Sequence, residues 1–131
     1  RGYRDEMAQQ GLPSLIANGH YQLNASIQAT MDLMQKHPDL DGIFAANDIM
    51  AVGTIKALTR LGIRIPDDIK VIGFDGIEWG MTITPELTTM EQPIVELGNK
   101  SAELLLQIIN GQVKGPKHYR LDAKLVVRDS T

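Results

Sequence analysis

The 131-residue sequence contains no cysteine. Disulfides, thiol nucleophiles and thiolate metal sites are therefore excluded, and the absence fits a reducing cytosol. Aromatic residues make up only 5% of the chain, with Trp79 as the single tryptophan. No apolar run approaches the ~20 residues of a membrane span, and the opening residues lack the charged, apolar and small-residue order of a signal peptide. Neither sign of charge dominates: the net charge is −3 and the basic residues are scattered, which leaves no electrostatic footprint for nucleic acid in this segment. The common catalytic motifs are missing as well, with no nucleophile elbow, phosphate loop, glycine-rich dinucleotide fingerprint or helical zinc motif. His20, His37 and His118 are too dispersed for ligand spacing. The expectation is a cytoplasmic chain that is not an enzyme and holds neither metal nor cofactor.

What is present is an apolar content of 43% in a length that suits one domain with a real core and is too short for two. The chain opens at Arg1-Gly2-Tyr3 without an initiator methionine and inside a helical pattern. It reads as a piece of a longer protein.

The organising stretches are DGIFAANDIMAVG, from Asp41 to Gly53, and IKVIGFDG, from Ile69 to Gly76. In the first, Ile43 to Ala46 form an apolar run too short for a buried helix, so residues 42 to 46 are predicted as a strand covered on both faces. Helical spacing starts at Ile49 and continues to residue 61, with Asn47 as a candidate N-cap and Gly62 as the stop. The second stretch repeats the plan, with a buried strand over 69 to 74 that ends on a carboxylate, Asp75. Before these, residues 1 to 10 are the end of a surface helix, Leu15, Ile16 and Ala17 a short strand, and residues 24 to 36 an amphipathic helix behind Asn24. Residues 76 to 86 read as irregular, 87 to 90 as extended, and Pro93 as the first position of a helix reaching 111. A half-exposed edge strand follows, alternating Tyr119, Leu121, Ala123, Leu125 and Val127 against polar neighbours. Strands alternating with helices predict an α/β fold with right-handed crossovers and a mainly parallel sheet.

In such sheets ligands sit beyond the carboxyl ends of the strands. Tyr21, Asn47, Asp48 and Asp75 fall there. A polyol needs carboxylates or amides for paired hydrogen bonds and an aromatic platform for its C–H face, and these residues supply that set. Each has a plain alternative: Asn47 as a helix cap, Asp75-Gly76 as a turn, Tyr21 as core packing. Together, at three strand ends, they favour a site. Trp79 and Met81 suit a binding surface and local packing equally well, and Asp67-Asp68 reads as a turn rather than a catalytic carboxylate pair.

Taken in order, ANDIMAVG, LGIRIPDDIKVIGFD, PELTTMEQP and LVVRDST resemble the effector-binding core of the LacI/GalR family of bacterial repressors, over nearly the whole chain. ANDIMAVG alone is also similar to sugar-binding proteins of uptake systems. The resemblance implies the type I periplasmic-binding-protein-like fold, two α/β lobes around a cleft, of which this chain is most of the C-terminal lobe. Residues 1–91 and 122–131 would form that lobe, and residues 92–121 would pack on the N-terminal lobe upstream. It further implies that Asn47 and Asp75 hydrogen-bond the effector and that Tyr21 stacks on it, while Asp48 is either a ligand or a structural residue. Val52, Lys56 and Ile83 match positions of a homodimer interface. An effector-binding arginine of the family falls upstream of Arg1, which is not its equivalent, and the DNA-binding and hinge helices fall further upstream. With its partner lobe absent, the helix over 93 to 111 is expected to associate, swap or disorder. The function expected is the effector-sensing and dimerisation part of a repressor that responds to a sugar, or second to a purine, and meets operator DNA only through its missing N-terminal domain. The alternative is the sugar-binding protein of an ABC-type uptake system.

Overall fold

The computed structural model describes residues 1–115 and 117–131. Pro116, within the 92–121 segment, lies outside the described residues. In chain order the elements are α1 (Gly2–Gln9), α2 (Leu23–Lys36), β1 (Gly42–Phe44), α3 (Asp48–Arg60), β2 (Lys70–Asp75), a 3-10 turn (Glu78–Met81), β3 (Thr88–Glu91), α4 (Ile94–Ile109) and β4 (Lys124–Val126). The strands form one sheet in the order β1-β2-β3-β4. The first three are parallel, with Ile43 opposite Val71 and Ile72 opposite Thr88, and β4 joins antiparallel beside β3.

The core lies where α3 covers the sheet. Ala51, Ile55 and Leu58 of α3 meet Ile69, Val71 and Leu87, and Met34 of α2 closes the outer side. Leu58, Val71 and Leu87 have no exposed surface, so truncating either leucine to alanine costs about 2–5 kcal/mol. Two features let α2 lie close against α3. Gly53 offers no Cβ where one would stand 2.6 Å from the Leu23 carbonyl, and the buried hydroxyls of Thr30 and Thr54 bond each other at 3.1 Å. The helix ends follow capping chemistry. The Asn47 side chain accepts from Met50 N–H and opens α3, while Gly62 at φ +72 turns the chain out of it.

Five sequence expectations change. Leu15 to Ala17 form no strand, because the Tyr3 hydroxyl takes both main-chain groups of Leu15, donating to its carbonyl at 3.4 Å and accepting its N–H at 3.2 Å. As a result β1 is an edge strand instead of a strand covered on both faces, and Phe44 is half exposed. The last strand is three residues long rather than spanning 119 to 127. Its partner β3 stops at Glu91, opposite Lys124, just before Pro93. Finally, α2 begins at Leu23 with Gln22 rather than Asn24 at its start, and Pro93 precedes α4 instead of opening it.

Candidate functional site

The parallel direction of β1, β2 and β3 brings their carboxyl ends to one edge of the sheet. Asn47 follows β1, Asp75 ends β2, and Glu91 pairs with Asp75 across the ladder at the end of β3. A buried clamp fixes this edge. The carboxylate of Asp48 is fully buried and accepts from the main-chain N–H groups of Gly76 and Ile77, both at 2.8 Å, and from the Thr89 hydroxyl at 2.6 Å. Gly73 makes room for it, since a Cβ there would collide with Asp48 Oδ1. The neighbours of Asn47 and Asp75 are thereby bonded directly to each other, and the two site residues are held side by side. Of the two roles given for Asp48, ligand or structural residue, this bonding favours the structural one. Asp48 has no exposed surface, and both its oxygens are engaged within the chain.

Asn47 and Asp75 are each half engaged. Asn47 Oδ1 accepts from Met50 N–H at 2.8 Å, which leaves its Nδ2 donors without a described partner. Asp75 Oδ1 accepts from Gln92 Nε2 at 2.7 Å, and no described residue donates to Oδ2. One donor and one acceptor therefore stand at neighbouring strand ends, a combination that suits a hydroxyl, which both accepts and donates. Asp75 holds φ at +118, a region that favours glycine. Strain of this kind persists where the surroundings fix it and concentrates at binding sites.

Tyr21 lies in the loop from the 15–17 segment into α2. His20 and Tyr21 both adopt left-handed backbone, at φ 50 and φ 55. Asn18 Oδ1 accepts from His20 N–H at 2.9 Å, and the Gly19 carbonyl accepts from Gln22 N–H at 2.9 Å. Gly19 is buried against Met50 in the first turn of α3, so the loop is anchored beside Asn47. Tyr21 stays 70% exposed, which rules out the core-packing alternative for its ring. Sequence reading missed Thr89 and Gln92 as parts of this edge. Their signal was position alone, since Thr89 lies on β3, the strand next to the one that delivers Asp75, and Gln92 directly follows it.

An apolar-walled cavity lies elsewhere. It has a volume of about 380 Å³ and lies between the 15–17 segment, α1, α2 and β1, with Leu15, Leu33, Leu40 and Ile43 in its wall. Tyr21, Asn47 and Asp75 are not part of it. Their edge of the sheet is open.

Of the residues matched to a dimer interface, Val52 and Lys56 lie one turn apart on α3 and Ile83 follows the 3-10 turn. Lys56 is exposed on α3, and Ile83 is half buried against the core. Val52, one turn before Lys56 on the same helix, keeps 7% of its surface. No helix among the described residues is long and apolar enough to cross a membrane.

The model of the periplasmic binding protein-like domain matches residues 1–131, and the chain belongs to that family. Within it, sequence and fold are those of the C-terminal part of a LacI-family effector-binding core. The chain is 38% identical over 130 residues to the ribose operon repressor of Halalkalibacterium halodurans, covering 99% of this chain and 39% of that protein. It is 32% identical over 134 residues to the transcriptional repressor CytR of Escherichia coli K12, covering 100% of this chain and 39% of the relative. Among solved structures, the complex of the transcriptional regulator CelR with cellobiose superposes with a TM-score of 0.94 at 30% identity, over 99% of this chain and 41% of that one. A LacI-family regulator from Enterococcus faecium with bound ribose gives 0.87 at 33%, over 99% of this chain and 49% of that one. The chain thus spans less than half the length of these proteins. They are transcriptional regulators rather than enzymes, and the uptake-protein alternative is not favoured.

Proposed function

We propose that this chain is the sugar-sensing half of the effector-binding core of a bacterial transcriptional repressor. The observation that carries the reading is the half-engaged pair at the sheet edge: Asn47 Nδ2 and Asp75 Oδ2 offer one donor and one acceptor to a ligand hydroxyl. Tyr21, exposed and held in a fixed loop, supplies an apolar platform for a sugar's C–H face. Proteins similar to this chain are named for ribose or were solved with ribose or cellobiose bound, which favours a sugar over a purine.

The open edge needs a second wall. Residues 1–91 and 122–131 form one lobe, and the segment 92–121 carries an apolar helix suited to packing on another lobe of the intact protein. An effector held between two lobes favours their closed arrangement by its higher affinity for it, and this population shift alters a DNA-binding domain elsewhere in the protein. The intact protein works in the cytoplasm as a homodimer, with Val52, Lys56 and Ile83 at the interface. It meets operator DNA through a domain outside this chain, and it catalyses no reaction.

The test is an operator-binding assay on the intact protein with ribose, cellobiose and lactose. Asp75→Ala is expected to abolish the sugar response while operator affinity is retained. An unchanged response removes Asp75 from the site.

A further inference from the structure

The chain from Leu12 to Gly19 runs without turn or bend. In such a run the main-chain groups of successive residues point to opposite sides. Those of Leu15 face α1, where the Tyr3 hydroxyl takes both. Those of Ser14, Ile16 and Asn18 therefore face the other way, and among the described residues none of them has a main-chain partner. A row of free donors and acceptors is a template for pairing with another extended chain. The Ile16 side chain at its middle is 54% exposed.

This segment borders a groove of about 460 Å³ whose other wall is α2, with Asp32, Leu33 and Lys36 in it. Asp32 and Lys36 stand one turn apart, where an acid followed four residues on by a base commonly pairs. Here they do not. Asp32 Oδ1 accepts from Gln28 Nε2 at 2.8 Å, and no ion pair among the described residues includes Asp32 or Lys36. The groove thus carries one unpaired charge of each sign, which makes it complementary to itself. A two-fold axis through its middle sets Lys36 against the partner's Asp32, and Asp32 against the partner's Lys36. The same axis sets Ile16 opposite the partner's Ile16 in an antiparallel pair that exchanges both main-chain bonds. A strand of a different protein would need its own charges placed to match, whereas a second copy has them by symmetry.

We propose that residues 14–18 and the exposed face of α2 form an interface between two copies of the protein, built by antiparallel strand pairing about Ile16 and by ion pairs between Asp32 and Lys36. The main-chain bonds and the covered Ile16 side chains hold the copies together. The exposed ion pairs add little affinity and instead fix the register and exclude other strands. This surface is separate from Lys56 on α3, so a protein that uses both assembles beyond the dimer. The sugar site is not involved, and the proposal stands independently of it.

The experiment is sedimentation velocity of the intact protein at micromolar concentration, together with cysteine cross-linking. Ile16→Pro removes the central N–H of the free row, and Lys36→Asp sets like charges across the axis. Wild type is expected to have about twice the mass of either variant or more, because a two-fold contact joins assemblies in pairs. Exchanging the charges, Asp32→Lys with Lys36→Asp, is expected to restore the wild-type mass. Directly opposed residues of such a pair stand about 5.5 Å apart at Cα, within disulfide reach. Oxidised Ile16→Cys is therefore expected to give covalent dimers, and Leu12→Cys, as exposed but outside the pairing, none. The chain has no cysteine of its own, and oxidised wild type is the baseline for thiols elsewhere in the protein. Equal mass for wild type and Ile16→Pro, with no cross-link in Ile16→Cys, overturns the proposal, whether another protein's strand or solvent then takes the edge. A cross-link in Ile16→Cys with wild-type mass in Lys36→Asp overturns the ion pairs alone. Should Ile16→Pro fail to fold, the cross-link and the charge exchange decide the matter.

Discussion

Asp48 and Thr89 are 41 residues apart in sequence and 2.6 Å apart in space, carboxylate oxygen to hydroxyl, with no water-exposed surface on either side chain. Together with the N–H groups of Gly76 and Ile77, this contact joins the start of α3, the end of β2 and the middle of β3. A buried carboxylate is tolerated when its lone pairs are filled, and here three donors fill them.

Removing that carboxylate strands three buried or half-buried donors at once. Asp48→Ala is therefore expected to lower the unfolding free energy by about 3 kcal/mol or more, read as a fall in the urea midpoint. A change below about 0.5 kcal/mol, typical of an indifferent surface position, would mean that the network contributes nothing.

Close approach of α2 and α3 depends on Gly53. An added Cβ would meet the Leu23 carbonyl at 2.6 Å and also collide with Ser26 Oγ. Main-chain atoms cannot swing aside as a long side chain does, so Gly53→Ala is expected to cost about 1–3 kcal/mol despite alanine's better helix propensity. Thermal unfolding followed by circular dichroism would measure it, and a stabilised variant would contradict the packing described.

The turn before β2 carries an acid-sensitive clasp. Arg64 donates Nε–H and its main-chain N–H to Asp68 Oδ2 at 3.0 and 2.9 Å, and Nη2 meets Oδ1 at 2.6 Å. The Arg64 side-chain hydrogen bonds are the largest cause that lowers the Asp68 carboxyl from 3.8 to about 2. A carboxyl depressed on folding stabilises above its unfolded value and loses that contribution as pH falls through its folded one. Melting temperature is thus expected to fall between about pH 4 and pH 2 by more in wild type than in Arg64→Met. Both partners are largely exposed, so added salt should shrink the difference. Equal pH slopes would exclude the clasp as their source.

No residue of α4 is buried, and Leu105, Leu106 and Ile109 expose 58%, 60% and 69% of their surface. Prepared by itself, the 131-residue chain is expected to associate at micromolar concentration through this helix. Light scattering should register a smaller species for Leu105→Gln with Ile109→Gln than for wild type. A monomeric wild type would show that the face needs no cover.

Where local chemistry decides the outcome, the sequence was readable. Asn47 does cap α3, Gly62 does end it, and the buried run at Val71 does become an inner parallel strand with Asp75 at its end. The misreadings arise from distant partners. Nothing near Leu15 announces that the Tyr3 hydroxyl would take both of its main-chain groups, and nothing in the alternation of residues 119 to 127 reveals that β3 is only four residues long. In the candidate site, residue types and strand ends marked Asn47 and Asp75. That Asp48 and Val52 are buried was not legible at their positions, because burial is a property of the assembled layers. Gln92 escaped notice because an amide after a strand looks ordinary until its carboxylate partner is seen.

The pairing of Glu91 with Lys124 means that the segment carrying α4 leaves the sheet and re-enters it at one rung of the ladder. Anything that α4 packs on is tethered by two strand ends lying next to each other. Such a pair bends readily across its width but resists shearing, because one strand cannot slide without breaking its neighbour's hydrogen bonds. The sheet and whatever rides on residues 92–123 are therefore joined as a door is to its frame, with Glu91 and Lys124 as the pin.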